Sequence, residues 1–223
     1  MKQILIVFAV ILIAGLGFLA YTTLPDEGET LPPPPSNGGT NTTGLPLTLP
    51  SGVSIETFTE DLPGARVMAL DSFGSWWVSQ TSKGTVSLIE VDNESGEVTH
   101  INPVLRDLKR PHGLLFGVGE QFTALYVAEE HRIIRVATYS DQPAPDVVVE
   151  LPSDGGHYTR TIEWLPGFEN EKMLVSIGSS CNVCAESDPR RATVMLLDLP
   201  TGKLAPFAKG LRNTVFMAVH PVT

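Results

Sequence analysis

From about Val53 onward, short apolar runs alternate with Gly, Asp, Asn and Pro, and almost no stretch keeps the spacing of an amphipathic helix. This pattern predicts an all-β body. The runs fall into three sets of four, which are RVMALDSF, SWWVSQ, TVSLIEVD and EVTHINPV; HGLLFGV, FTALYVAEE, RIIRVATY and DVVVELP; and RTIEWLP, KMLVSIGS, ATVMLLDL and LAPFAKGL. A further run, VFMAVHP, begins a fourth set.

The sets recur at the period of a β-propeller. Met68, Leu115 and Ile162 occupy corresponding points, and their separation lies within the roughly 40 to 50 residues of one blade. Each set therefore predicts a four-stranded antiparallel blade. A stacked β-sandwich with coincidental spacing is the alternative. Three blades and one strand do not close a ring of typically about 4–8 blades, so we expect the chain to be the N-terminal part of a longer protein.

The N-terminal region has a different composition. Residues 4–21, ILIVFAVILIAGLGFLAY, carry no charge and have about the length of a bilayer-spanning helix. Lys2 precedes this run and acidic residues follow it, which favours an exported body. We predict a transmembrane anchor or signal segment over 1–23, with a cleaved signal peptide as the alternative. The body then lies outside the cytoplasm, periplasmic or extracellular, and is either anchored to the membrane or secreted.

A linker is predicted next. Residues 24–50 are rich in Pro, Gly, Thr and Asn and lack the periodic apolar positions that would bury a core. The partial propeller is predicted over 51–223.

The charge excludes one class of partner. With 25 acidic against 15 basic residues, the formal net charge is −10, so the field of the chain repels nucleic acid and anionic lipid. The run Gly117-Val118-Gly119 lacks a third glycine and leads into another predicted strand, so it does not indicate a dinucleotide site.

The two cysteines of the chain, Cys181 and Cys184, lie three positions apart in a polar loop. A structural zinc site needs further ligands, and His157 and His220 fall outside the usual spacings. A thioredoxin-like couple expects a helix start, which an all-β body does not offer. An exported location permits a disulfide. The pair therefore predicts either a disulfide clip or two buried thiols that shape the loop.

Polar side chains stand at the predicted starts of three blades. His112 begins the second blade, His157 and Arg160 begin the third, and Arg212 and Asn213 begin the fourth. These positions converge around the axis of a propeller. A neutral imidazole beside guanidinium and amide donors suits a general base next to an anion clamp. The alternative is that each residue only caps strand-crossing backbone.

Three motifs carry a resemblance to a known family. They are GGHYTRTIEWLP, SIGSSCNVCAESDPRRATVMLLD and KGLRNTVFMAVHP. From about Leu49 to the last residue, the sequence resembles the PQQ-dependent glucose/sorbosone (aldose sugar) dehydrogenases, six-bladed propellers that bind pyrroloquinoline quinone over the channel. The N-terminal 48 residues lie outside the match.

The resemblance implies roles for individual residues. His157 matches the base that takes the proton of the sugar C1 hydroxyl while hydride passes to the quinone. Arg212 and Asn213 match a pair that contacts the quinone oxygens, where Arg212 would stabilise developing negative charge. Ser180 and His112 stand where other members have Gln. The implied substrate contacts are His112, Arg160 and Ser180.

The resemblance also implies PQQ and Ca²⁺ as cofactors, an aldose as substrate and an external electron acceptor. The calcium is expected partly on backbone carbonyls beyond the RN pair, and further cofactor-binding groups are expected beyond Thr223. Two other functions remain open. One is a calcium-dependent lactonase, although its acidic and amide ligands are replaced here by His and Arg. The other is a non-catalytic binding propeller.

Overall fold

The computed structural model describes residues 38–92, 94–119, 123–140 and 144–220. The predicted segment 1–23 and much of the predicted linker lie outside these residues. Within the described part of the chain, no helix has the length and apolarity needed to cross a bilayer.

The chain divides into two compact units, Met1–Thr57 and Phe58–Thr223. In the first unit, the described residues contain one short parallel pair, β1 (Thr40–Asn41) with β2 (Ser54–Ile55). The domain boundaries predicted after residues 23 and 50 stay predictions.

The second unit contains three four-stranded antiparallel sheets, as the sequence predicts. In each sheet the strands pair in sequence order, so every sheet is a meander like a propeller blade. The first blade has β3 (Ala65–Leu70), β4 (Trp76–Gln80), β5 (Thr85–Val91) and β6 (Val98–Leu105). The second has β7 (Gly113–Phe116), β8 (Ala124–Ala128), β9 (Arg132–Ala137) and β10 (Asp146–Glu150). The third has β11 (Ile162–Trp164), β12 (Lys172–Ile177), β13 (Thr193–Asp198) and β14 (Lys203–Lys209).

The core lies between the blades, and β8 shows how it is built. Every side chain of β8 is buried. Successive side chains of a strand point to opposite faces. Accordingly, Leu125 and Val127 join Trp77 of the first blade in one apolar cluster. Ala124, Tyr126 and Ala128 join the third blade in another. The middle blade is therefore apolar on both faces, which explains the uninterrupted run ALYVA.

Close backbone contact joins the starts of neighbouring blades. The amide of Gly113, at the start of β7, donates to the carbonyl oxygen of Arg160 at 2.9 Å. A Cβ atom on Gly113 would lie 2.5 Å from that oxygen, closer than real side chains approach. Only glycine fits here, and the contact brings the residues that precede β7 and β11 together.

The predicted first strand of a fourth blade, VFMAVHP, is not a strand. Residues 214–220 are irregular, and no strand among the described residues pairs with them. A strand needs a hydrogen-bonded neighbour along its edge, and an apolar run by itself does not provide one. The prediction of three blades plus one strand is corrected to three blades.

Candidate functional site

The candidate site lies in the second unit, at the edge of the sheets where the first strand of each blade starts. His157 precedes β11, and Arg212 follows β14. Both meet the loop 178–192, which connects β12 to β13 and contains the two cysteines. The amide of Ser179 donates to the carbonyl oxygen of Arg212 at 2.8 Å, and the amide of His157 donates to the carbonyl oxygen of Ser179 at 3.2 Å. Backbone bonds thus fix the three segments against one another.

The hydrogen bonds of His157 define its tautomer. Nδ1 lies 2.9 Å from Ser179 Oγ and 3.2 Å from the Ser179 carbonyl oxygen. Ser179 Oγ donates its own proton to the Cys181 carbonyl oxygen at 2.6 Å. Both oxygens near Nδ1 are therefore acceptors, so we assign the ring proton to Nδ1. Nε2 then carries a lone pair on the opposite side of the ring.

Arg212 faces that lone pair. Its Nη2 lies 3.2 Å from His157 Nε2 and donates to Asn182 Oδ1 at 2.6 Å. The guanidinium is exposed, and the half-buried imidazole lies beneath it. An imidazole nitrogen with a lone pair and a fixed cation thus stand side by side, which is the arrangement expected for removing a proton next to developing negative charge.

The loop that presents Asn182 is closed by a disulfide. In the structure, Cys181 and Cys184 are bonded to each other, with their Cα atoms 6.1 Å apart. The amide of Ser180 donates to Glu186 Oε1 at 2.8 Å, which fixes the loop at a second point. An open cavity of about 230 Å³ lies beside the disulfide, lined by Ser179, Cys181, Asn182, Val183, Cys184, Glu186, Ala192, Gly210 and Arg212.

Asn213 packs close to the backbone segment that also contacts His157. Its Oδ1 accepts a hydrogen bond from Thr159 Oγ1 at 3.0 Å, so the amide nitrogen is left to point away as a donor. Gly178 makes this packing possible. A Cβ atom there would lie 2.6 Å from the Cβ of His157 and 2.9 Å from Asn213 Oδ1. A larger residue would force the predicted base and the predicted cofactor contact apart.

Arg160 is fully buried, below the loop that holds His157. Its guanidinium donates to the carbonyl oxygens of His157 at 3.1 Å and of Pro152 at 2.7 Å. Burial, followed by the nearby charge of Arg191, lowers its pKa to about 10. The substrate contact predicted for Arg160 stays a prediction. In the structure, its guanidinium stabilises the backbone of the segment that carries His157.

His112 is also fully buried. Its Nδ1 lies 3.2 Å from the Arg160 carbonyl oxygen, so this nitrogen is a donor. Burial is the main cause that lowers its pKa to about 4. Ser180, the third predicted substrate contact, is half-buried at the rim of the disulfide loop, with its Oγ 3.6 Å from Cys184 Sγ. The substrate roles of both residues stay predictions.

Within the part of the chain that the structure describes, one group of three close metal-ligating side chains is found, Cys181, Cys184 and Glu186. Its two sulfur atoms are joined in the disulfide, so they do not offer thiolate ligands. Calcium prefers six or more oxygen ligands, which this group does not supply. This group is therefore not a calcium site, and the Ca²⁺ implied partly on backbone carbonyls beyond Arg212 and Asn213 stays a prediction.

Sequence reasoning missed three residues of the site: Ser179, Asn182 and Thr159. Each acts through a side-chain oxygen on His157, Arg212 or Asn213. Ser179 and Asn182 lie within the motif SIGSSCNVC, but the motif does not show which of its side chains contact His157 or Arg212.

The sequence model of a family described as TrAA12-like matches residues 47–223. No curated protein matches the sequence at a significant level.

Several solved structures share the fold. The holo PQQ domain of pyranose dehydrogenase from Coprinopsis cinerea is 17% identical with a TM-score of 0.59, over 80% of this chain and 44% of that one. The AA12 enzyme of Trichoderma reesei in its iodide structure is 20% identical with a TM-score of 0.56, over 67% of this chain and 41% of that one. The PQQ-bound aldose sugar dehydrogenase of Streptomyces coelicolor is 18% identical with a TM-score of 0.50, over 69% of this chain and 49% of that one. The matched part of each structure is less than half its length.

Proposed function

Because the chain belongs to the TrAA12-like family, we propose that it forms part of a PQQ-dependent sugar dehydrogenase, an oxidoreductase that acts on the C1 hydroxyl of an aldose. Two of the similar structures are described with PQQ, one as a pyranose dehydrogenase domain and one as an aldose sugar dehydrogenase. The contact between His157 Nε2 and Arg212 Nη2, at 3.2 Å, is the observation that carries the proposal.

The donor set at the site fits a quinone. Quinone oxygens accept hydrogen bonds and carry no donor, so they need N–H groups around them. Arg212 uses Nη2 for its contacts with His157 and Asn182, and the guanidinium has further N–H groups besides. Asn213 has its Oδ1 bonded to Thr159, which leaves its amide nitrogen as the donor for a ligand. Arg212 and Asn213 are therefore the residues that would bind the quinone side of PQQ.

In the proposed reaction, His157 Nε2 accepts the proton of the C1 hydroxyl. The hydroxyl takes the place of Arg212 at Nε2, and the Nδ1–H bond to Ser179 keeps the ring oriented as the proton arrives. PQQ, when bound, supplies the two-electron acceptor for the hydride that leaves C1. Arg212, fixed by Asn182, places its positive charge where negative charge develops.

The location proposed for this activity is outside the cytoplasm. A disulfide such as Cys181–Cys184 persists in an oxidising compartment, which supports export. Attachment to the membrane through residues 1–23, and transfer of electrons to an external acceptor, belong to the same proposal.

Reconstitution tests the proposal. The complete protein is incubated with PQQ and Ca²⁺ and assayed with a panel of aldoses and a redox dye. We expect dye reduction with at least one aldose, and none without PQQ. PQQ binding without turnover of any aldose would favour the binding module. Hydrolysis of lactones by the same preparation, without dye reduction, would favour the lactonase.

A further inference from the structure

A second cavity lies at the starts of the blades, beside Tyr158. Its volume is about 370 Å³, and it is lined by Gly64, Ala65, Arg66, Thr81, Ser82, Arg110 and Tyr158. Arg66 comes from the start of β3, Arg110 from the segment before β7, and Tyr158 from the segment before β11. All three blades of the described chain thus contribute to one cavity. We call it the Arg66 cavity.

Arg110 is held in a fixed orientation in this cavity. Its Cζ lies 4.7 Å from the centroid of the Tyr158 ring, a cation–π contact. On its other side, Nη1 lies 3.3 Å from Glu130 Oε2, whose side chain is 1% exposed. The remaining Glu130 oxygen accepts the amide of Asp154 at 3.1 Å. A guanidinium held in this way loses little conformational freedom when it binds an anion.

Arg66 differs from Arg110, because no described residue pairs with its charge. Among the residues that the structure describes, its exposed guanidinium makes no ion pair or hydrogen bond. The register of β3 against β4 shifts between Ala65 and Val67, so Arg66 sits at a β-bulge. Bulges often redirect a side chain next to a site. After burial and the hydrogen bond to Arg160, the charge of Arg66 is the next cause acting on the pKa of His112, so the guanidinium lies near that ring.

The cavity brings together two guanidinium groups, those of Arg66 and Arg110, although the chain has a net charge of −10. Guanidinium groups bind carboxylates with paired, charge-assisted hydrogen bonds. Neutral hydroxyl groups gain much less from them. A cavity of this size holds one sugar ring, since ligand pockets usually begin near about 300 Å³.

We propose that the Arg66 cavity is a carboxylate-binding subsite beside the segment that carries His157. Tyr158, which lines the cavity, is the next residue in the chain after His157, so the cavity borders the segment that carries the proposed base. The carboxylate has two chemical sources, a sugar acid used as substrate or the carboxylates of PQQ itself. This inference rests on the proposed function and specifies what its site would bind.

The test uses the complete protein and the variant Arg66→Gln, because Arg66 has no described partner whose loss would unfold the chain. Arg135→Gln is the matched control, since Arg135 is exposed in the middle of β9. Isothermal titration measures the binding of glucuronate, galacturonate and PQQ to the apoprotein. Steady-state assays of the reconstituted enzyme compare glucuronate with glucose.

If the sugar supplies the carboxylate, Arg66→Gln weakens uronate binding and raises the uronate KM about tenfold or more, the size expected for one charge-assisted bond. The glucose KM and the PQQ affinity then stay unchanged. If the cofactor supplies it, Arg66→Gln weakens PQQ binding by a similar factor. Arg66→Lys restores part of the loss in either case, and Arg135→Gln has no effect.

The proposal is overturned if neither the uronates nor PQQ binds more weakly to Arg66→Gln than to Arg135→Gln. Binding to the apoprotein needs no turnover, so this result is distinct from failure of the dehydrogenase proposal. If the dehydrogenase proposal fails, no aldose is oxidised, whether or not Arg66 binds a carboxylate.

Discussion

His157 Nδ1 lies 2.9 Å from Ser179 Oγ, and this bond turns the imidazole so that Nε2 faces Arg212. Ser179 is 5% exposed, and its hydroxyl is itself directed by the Cys181 carbonyl oxygen. The serine therefore orients the ring without reaching the substrate position. The proposed base depends on a residue that takes no part in the chemistry.

Replacing Ser179 tests this orientation. We expect Ser179→Ala to lower kcat about tenfold while the affinity for PQQ stays unchanged, because the ring loses one of its two Nδ1 acceptors. Steady-state kinetics with an aldose and a dye, together with PQQ titration, measure the two effects. An unchanged kcat would show that the Ser179 carbonyl oxygen alone holds the ring.

Asn182 is expected to position Arg212. Asn182→Ala removes the acceptor at 2.6 Å, so Arg212 should lose its fixed place and kcat should fall about five- to tenfold, as for one charge-assisted hydrogen bond. The neighbouring Val183→Ala is the matched control, because that side chain is 96% exposed. Equal kinetics for the two variants would contradict the role of Asn182.

The disulfide should act through Asn182. Reduction of Cys181–Cys184 frees the segment that presents the Asn182 side chain, so we expect activity to fall as the bond is titrated with a reductant. The Asn182→Ala variant should show a smaller fractional loss, because the contact is already absent. Enzyme activity, measured as a function of the reduction potential of the buffer, gives the loss in wild type and in the variant. The same fractional loss of activity in wild type and in Asn182→Ala would show that the disulfide does not act through the contact between Asn182 and Arg212.

His112 should make stability depend on pH. Its pKa is about 4 in the folded chain and 6.5 in the unfolded chain, so between these values the unfolded chain binds a proton that the folded chain does not. The free energy of unfolding therefore falls as the pH drops from 6.5 towards 4. The contribution reaches about 3 kcal/mol, at roughly 1.4 kcal/mol per pKa unit.

Urea unfolding of wild type and His112→Gln at several pH values measures this contribution. The variant should lose less stability than wild type over that interval, because Gln does not titrate. If the free energy of unfolding falls equally with pH in wild type and in His112→Gln, His112 does not cause the pH dependence of stability.

Much of the fold was predictable from the sequence. All twelve strands of the three blades coincide with apolar runs in the sequence, because blades need strands that are buried between neighbours. VFMAVHP has the same local pattern, but it is irregular, because pairing depends on a neighbour that a local pattern does not contain. Strand composition therefore predicts where strands can form, and pairing decides where they do.

The site was predictable only in part. The positions of His157, Arg212 and Asn213 at blade starts suggested that they meet, and the structure places Arg212 on His157. The burial of Arg160 was not predictable, because arginine is rarely fully buried and its backbone acceptors come from loops. Asn182 and Ser179 belong to a long loop whose path is set by the disulfide and by Glu186, which no periodicity describes.

The central claim is that His157 removes the proton of an aldose bound beside PQQ. Single-turnover reduction of the quinone by aldose, followed by absorbance in the complete reconstituted protein, tests it most directly. We predict that His157→Ala binds PQQ as wild type does and reduces it about 10²–10⁴-fold more slowly, the range for loss of a general base. Quinone reduction at the wild-type rate in His157→Ala would contradict the claim.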